Sequence, residues 1–299
     1  MNTNQKITVI ACGVLAADLR HLAPTLGREI NLHFLPGGLH ATPERLRIEL
    51  QKAIDEISRS EAPERIVIGY GVCGRGTVSL HARTVPLVIP RVHDCIALFL
   101  GSDAEYRRQF AAHPGTYYLS AGWVEEKGDG GPRRNMGSDG AAHPLYNTYE
   151  QLAEAYGTEN ADYIRDFMQS WTRNYTRSAF IDTGIGQQKE RYAQKADDMA
   201  CRFGWEYARL AGTHDLLREA LTTMETTDTI LVVPPGGITR YDALRRCLDT
   251  TVAETSTTTS PQPLCPAETS QAVAATPRRG IGLGIDAGGT YTDAVLYDF

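Results

Sequence analysis

The chain has 299 residues, 42% of them hydrophobic and 22% charged, enough for one large packed domain plus an appendage. A net charge of −6 spread over both signs leaves no basic stripe for a phosphate backbone, which argues against a nucleic-acid partner. No run approaches the roughly 18 apolar residues of a membrane span, and Met1 to Lys6 lead straight into a strand-like segment, so a cytoplasmic protein is expected.

Taken in chain order, short β-branched runs alternate with helical patterns. Strands are expected at Ile7–Ile10, Leu32–Leu35, Ile66–Ile68, Leu87–Ile89, Tyr117–Leu119, Ala179–Ile181 and Ile230–Val233. Several are apolar at every position, as in parallel strands covered on both faces. Thr42-Pro43-Glu44 opens a helix carrying Leu46, Ile48, Leu50 and Ile54, and Ser102 with Glu105 forms a capping box. Further helices are expected over 148–157, 161–175, 187–203, 214–223 and 240–248. The alternation predicts an α/β, Rossmann-like three-layer fold with a mostly parallel sheet and helical insertions.

The glycine-rich stretch 127–143 reads as a loop. Residues 250–280, rich in Thr, Ser, Pro and Ala, read as a linker after an α/β domain over 1–249. Order is expected to return at 281–299 as a C-terminal β-hairpin stub, Ile281–Ile285 followed by Ala294–Tyr297.

The six cysteines are too far apart for a disulfide framework and read as thiols. Cys12 follows the first strand, Cys73 lies in a glycine-rich turn after the third, and Cys95 follows the fourth. All three therefore arrive at the carboxyl edge of the sheet, where open α/β sheets bind ligands. Three thiols with His93 nearby are the donors of a soft-metal site, zinc by default, with one position left for substrate. His93 or Asp94 could complete the shell, and His93 could instead serve as a base. The competing readings are small buried core cysteines, or a metal-free nucleophilic thiol at Cys73. Cys201 reads as a core residue of a helix.

Gly69-Tyr70-Gly71-Val72-Cys73-Gly74 matches the dinucleotide pattern GxGxxG, with Asp94 ending the next strand. Only about two helical turns fit before Leu87, so the glycines Gly71 and Gly74 read better as a tight turn presenting amides to an anion or to the site. Arg75, Arg83 and Arg91 flank this rim as candidate carboxylate or phosphate clamps. After the fifth strand, Trp123 and Glu125 offer an aromatic wall and a general base.

Ile10-Ala11-Cys12-Gly13, Gly69 to Gly74, Pro90-Arg91-Val92-His93-Asp94-Cys95, Pro114 to Trp123, Ile181-Asp182-Thr183, Gly204-Trp205 and Val232 to Gly236 together resemble the domain of unknown function family 1638, over about 6–240. The family brings no settled reaction; the resemblance implies a link to corrinoid-dependent one-carbon metabolism and a corrinoid protein as partner. Gly284 to Val295 resembles the first phosphate loop of actin-like ATPases of the hydantoinase A and oxoprolinase type, which implies a truncated fusion unable to bind ATP alone. The expectation is a zinc-thiolate enzyme acting on a small molecule, with methyl transfer to a thiol as the lead. The alternatives are a non-catalytic metal- or cofactor-binding module for a fused ATPase, and a dinucleotide-binding oxidoreductase.

Overall fold

The computed structural model describes residues 6–61, 63–127, 150, 153–154, 157–162, 170–186, 188–243, 247–252, 281–288 and 291–298. Its strands are β1 (Ile7–Cys12), β2 (Ile30–Leu35), β3 (Arg65–Gly69), β4 (Leu87–Pro90), β5 (Thr116–Ser120), β6 (Arg177–Asp182), β7 (Glu206–Ala211), β8 (Ile230–Val233), β9 (Gly237–Asp242), β10 (Cys247–Val252), β11 (Ile281–Gly288) and β12 (Tyr291–Asp298). The helices used below are α1 (Ala16–Leu22), α2 (Pro43–Ser60), α3 (Cys95–Leu100), α4 (Asp103–Ala112), α5 (Ala121–Lys127), α6 (Lys189–Phe203) and α7 (Asp215–Thr222).

The main sheet has the order β2-β1-β3-β4-β8, parallel except for β8, which pairs antiparallel with β4. Every residue of β1, β3 and β4 is buried, so both faces of the central strands are covered. Apolar side chains spaced at helical intervals explain part of that cover. Leu46, Leu50, Ile54 and Ile57 form one buried stripe on α2, each worth about 1.5–3 kcal/mol of burial. Pro43 starts this helix as expected, but Thr42 makes no side-chain cap. Ser102 does accept from Glu105 N at 3.2 Å, as the capping box requires.

A second, three-stranded parallel sheet, β5-β6-β7, accompanies the first. Its side chains alternate between two clusters: Tyr118, Ala179 and Ile181 join the main core, whereas Tyr117, Leu119 and Phe180 pack with Ala193 and Ala196 of α6. The expected strands all fall within observed ones, and the fold is Rossmann-like α/β with a mostly parallel main sheet. The strand β7 was not expected, because its residues alternate in exposure and carry Glu206 and Arg209. Residues 240–248 are not helical. Gly237–Asp242 and Cys247–Val252 form an antiparallel pair, with Thr250 opposite Thr239. β-Branched Ile238, Thr239, Thr250, Thr251 and Val252 favour that pairing, and it extends order past the expected linker boundary at 249.

The expected loop at 127–143 and the linker at 250–280 lie largely outside the described residues, as do parts of the helices expected at 148–157 and 161–175. Residues 158–162 are helical, and Ser170–Asn174 form a 3-10 turn. β11 and β12 pair antiparallel, the expected C-terminal hairpin. Among the described residues, no helix is long and apolar enough to cross a membrane.

The two sheets meet through α5. A side chain on Gly122 would collide with the carbonyl oxygen of Val14, the second residue after Cys12. Gly122→Ala should therefore destabilise by about 2–3 kcal/mol, the usual range for overpacking a tight contact. Urea unfolding checks this, and a midpoint equal to that of the parent would refute the contact's importance.

Candidate functional site

Cys12 is the last residue of β1, opposite Leu35 of β2. Beyond β3 and β4 the backbones stay paired. Val72 N donates to Val92 O at 2.8 Å, and Cys73 N donates to His93 O at 2.9 Å. This approach requires glycine at 71, where an added Cβ would lie 2.7 Å from Val92 O and 2.8 Å from Asp94 Cα. The chain then turns through left-handed conformations at Cys73, Gly74 and Arg75, with φ of 46°, 61° and 70°. For the two non-glycine residues this costs on the order of 1–2 kcal/mol each.

What holds the turn is a set of hydrogen bonds from within and from β9. Gly76 N reaches Cys73 O at 3.1 Å, and Thr77 Oγ1 reaches Gly71 O at 3.0 Å. Ser79 N donates to Thr239 O, Leu80 N donates to Thr239 Oγ1 at 2.8 Å, and that hydroxyl donates to Thr77 O at 2.7 Å. Thr239 is buried. No sequence signal marked it, because the segment reads as helical from the sequence.

The three predicted thiols share one environment. Cys12 and Cys73 are buried and Cys95 is partly so. Burial pushes the Cys12 thiol up to about 11. Burial, reinforced by Asp94 and Cys12, raises Cys73 further. Cys95 rises too, through burial, then Asp94, Cys12 and Cys73. Although Cys95 keeps some residue surface in solvent, its sulfur behaves as an interior group. Cys73 and Cys95 thus sense other thiols together with Asp94, whereas Cys12 senses Glu126; both carboxylates favour the neutral thiol.

Partial compensation comes from the backbone. The backbone at Val14 and Gly38 lowers Cys12, and that at Gly71 lowers Cys73, each against the larger effect of burial. Tyr70, 2% exposed, faces the three sulfurs. Its hydroxyl interacts with the Cys12 thiol outside hydrogen-bond geometry, leaving a buried oxygen unsatisfied. Such an orphan beside three thiols marks a place for a further polar group. Among the described residues, no three His, Cys, Asp or Glu side chains already stand as a metal shell.

The carboxylate of Asp94 caps α3 by accepting from Ile96 N at 2.9 Å, and it also accepts from Tyr106 Oη at 3.2 Å. His93 Nδ1 lies 3.0 Å from its other contact face at Oδ2, and the imidazole stacks on Tyr106. Asp94 is the acidic group that Cys73 and Cys95 sense. Glu125 points elsewhere, accepting from Tyr192 Oη at 2.8 Å on the α6 side of the second sheet. Its neighbour Glu126, missed in the sequence, is exposed and accepts from Gly37 N at 2.8 Å, and its charge raises Cys12. Only the helical phase of α5 separates the two.

The arginines do not form an anion clamp. Arg91 donates to Leu248 O at 2.8 Å, Thr227 O at 3.0 Å and Cys247 Sγ at 3.5 Å, stapling β10 to the loop before β8. Arg83 pairs with Asp55, and Arg75 stacks over Tyr241 with its Cζ 4.8 Å from the ring centre. Gly71 serves backbone approach, and Gly74 the left-handed turn. No helix follows the GxGxxG run before β4, so the helix N-terminus that receives a dinucleotide pyrophosphate is missing there. Cys201 is exposed rather than a core residue. A small cleft between β2 and α2, lined by His33, Ala53, Glu56, Ile57, Ser60 and Glu61, shares no residue with the thiol cluster. Its polar groups are spent on ordinary pairs such as Glu61 with Lys6, so the chemistry favours the thiols.

Thr239→Val should strip the Leu80 amide and the Thr77 carbonyl of their buried partner, costing about 1–3 kcal/mol. The loosened turn should expose Cys73, so its alkylation by iodoacetamide, followed by peptide mass spectrometry, should quicken at least about tenfold while exposed Cys201 reacts as before. Unchanged labelling of Cys73 would remove β9 from the site's support.

No curated protein and no solved structure matches the chain. Nor does any match to a hydantoinase or oxoprolinase ATPase accompany residues 281–299. The family model described as "Protein of unknown function (DUF1638)" matches residues 34–221, a span that holds Cys73, Cys95, Asp94 and Glu126 and begins after Cys12. Covering more than half of the chain, that match makes the protein a member of the DUF1638 family.

Proposed function

We propose that Cys12, Cys73 and Cys95 bind a soft divalent cation, zinc in the first instance, and that the protein is an enzyme acting on a small thiol at that site. The observation that carries the reading is charge: three interior sulfurs are raised by burial, Cys73 and Cys95 also by Asp94 and by other thiols, and Cys12 also by Glu126. A cation is the missing complement. The backbone that lowers Cys12 and Cys73 supports the thiolate forms such a site needs, and the orphaned Tyr70 hydroxyl supplies a donor toward bound sulfur.

Zinc held by three thiolates keeps a bound sulfur nucleophilic. The reaction we favour is methyl transfer from a methylated corrinoid protein to that sulfur. Formation of the carbon–sulfur bond would be matched by loss of the carbon–cobalt bond, its electron pair left on cobalt, and the His93–Asp94 pair or water would take the thiol proton. Asp94 fixes the imidazole through Nδ1, and Tyr106 holds both.

Elemental analysis of anaerobically purified protein should find about one zinc per chain, as for a three-thiolate site. Cys12→Ser, Cys73→Ser and Cys95→Ser should each lower zinc affinity by about a hundredfold or more. A parent protein that stays metal-free in excess zinc sinks the proposal. Methyl transfer is checked separately, by the loss of methylcobalamin absorbance with a small thiol present and the appearance of the thioether.

A second reading rests on the antiparallel pairing of β11 and β12, which carry the ends of the Gly284–Asp293 motif that resembles an ATPase phosphate loop. In it the domain is a metal- or cofactor-binding module of a larger ATPase. Zinc binding without any turnover of methyl donors would favour this reading.

A further inference from the structure

We infer that Met224 is an oxidation site whose sulfoxide is received by the buried guanidinium of Arg65. Neither residue belongs to the thiol cluster, so the inference stands apart from the cation reading above. Arg65 opens β3 and is 1% exposed. Its Nη2 donates to Leu221 O at 2.7 Å, satisfying a carbonyl in the last turn of α7, where a cation also suits the helix dipole. Its Nη1 is divided between Glu64 Oε1 and the Met224 sulfur, and its Nε has no partner.

This cation is short of acceptors. Among the described residues, Glu64 is the one acid paired with it, and Glu64 also serves Arg28 through its other oxygen. Burial pulls the Arg65 guanidinium below its ordinary value; the charge of Glu64 counters this and that of Arg28 adds to it. One of the few remaining contacts is spent on a thioether, which accepts hydrogen bonds weakly. Met224 itself, the second residue beyond α7, is 45% exposed, so a small oxidant in solution reaches it.

The oxidant is a peroxide. A lone pair on the Met224 sulfur attacks one peroxide oxygen, the sulfur–oxygen bond forms as the oxygen–oxygen bond breaks, and the second oxygen leaves as water with both peroxide protons. Sulfur is oxidised by two electrons and the peroxide is reduced by two. The product carries a strong oxygen acceptor on the atom that already lies against Arg65 Nη1. A hydrogen bond from a charged donor is about twice as strong as a neutral one. Methionine sulfoxide ordinarily disrupts apolar packing. At Met224 it fastens the exit of α7 to the first residue of β3 instead.

Dilute hydrogen peroxide added to the full chain, followed by dithiothreitol to restore the thiols, tests this. Peptide mass spectrometry should find Met224 converted to the sulfoxide ahead of Met199, which packs against the second core cluster. Peroxide should then lower the urea-unfolding equilibrium constant of the parent about tenfold more than that of Met224→Leu, a control that carries whatever oxidation does at other residues. Untreated Met224→Gln, which puts an amide oxygen near the place of the sulfoxide oxygen, should lower the constant by a similar factor. Met224 left unoxidised while Met199 reacts overturns the site. An equal or opposite effect of peroxide on the parent and on Met224→Leu, or a Met224→Gln protein no more stable than the parent, overturns the role of Arg65 as receiver and the inference with it.

Discussion

The contact on which the site depends is the backbone pairing of the loops after β3 and β4. Parallel strands ordinarily part company where the sheet ends, and their loops go separate ways. Here Val72 and Cys73 continue to donate to Val92 and His93, and Gly71 lies against Asp94 with no space for a side chain. That one extension brings Cys73 beside Asp94 and Cys95. It also forces the next three residues through a left-handed turn, because the chain must reverse before it can reach β4. The strain is met from outside by Thr239, so the β9–β10 hairpin supports the site without lying in it.

Electrostatics then gives the arrangement its direction. Burying one thiol is ordinary, since neutral sulfur is apolar. Gathering three of them around two carboxylates is harder to explain as packing, because ionising any one raises the cost for the rest. Burial and these charges push all three thiols above the ordinary range, toward the neutral form. A divalent cation would reverse that, releasing protons and drawing the sulfurs toward a common centre. The backbone at Val14, Gly38 and Gly71, which lowers Cys12 and Cys73, would favour the thiolates of such a site.

Much of this was legible in the residues. All-apolar runs marked the central strands because burial on both faces leaves no polar alternation. Placing cysteines after the first, third and fourth strands followed from the parallel order, which brings β1, β3 and β4 next to one another. What escaped notice depended on tertiary context. β7 is an edge strand with polar residues, so its pattern is weak. The β9–β10 pair looked helical because Tyr241, Leu244 and Leu248 recur at helical spacing, whereas cross-strand pairing decided the outcome. Glu125 and Glu126 are adjacent and identical in type, so only the phase of α5 could tell them apart. Arg91 looked like a clamp because a cation near a rim carries no sign of which carbonyls consume it.

Sheet geometry also explains why no shell stands ready-made. Neighbouring strands lie about 4.8 Å apart, so donors at the ends of β1 and β4, two strands away, start near 10 Å apart. Sulfurs on one tetrahedral zinc, with bonds of about 2.3 Å, must lie roughly 3.8 Å from each other. Rigid strands cannot close that difference, but loops can. Cys73 sits four residues beyond β3 in the left-handed turn, and Cys95, five beyond β4, opens α3. Cys12, by contrast, is still in register on β1 and is the fixed member. A cation would therefore seat first against Cys12 and recruit Cys73 and Cys95 afterwards. The order of assembly is set by which donors the strands hold and which the loops carry.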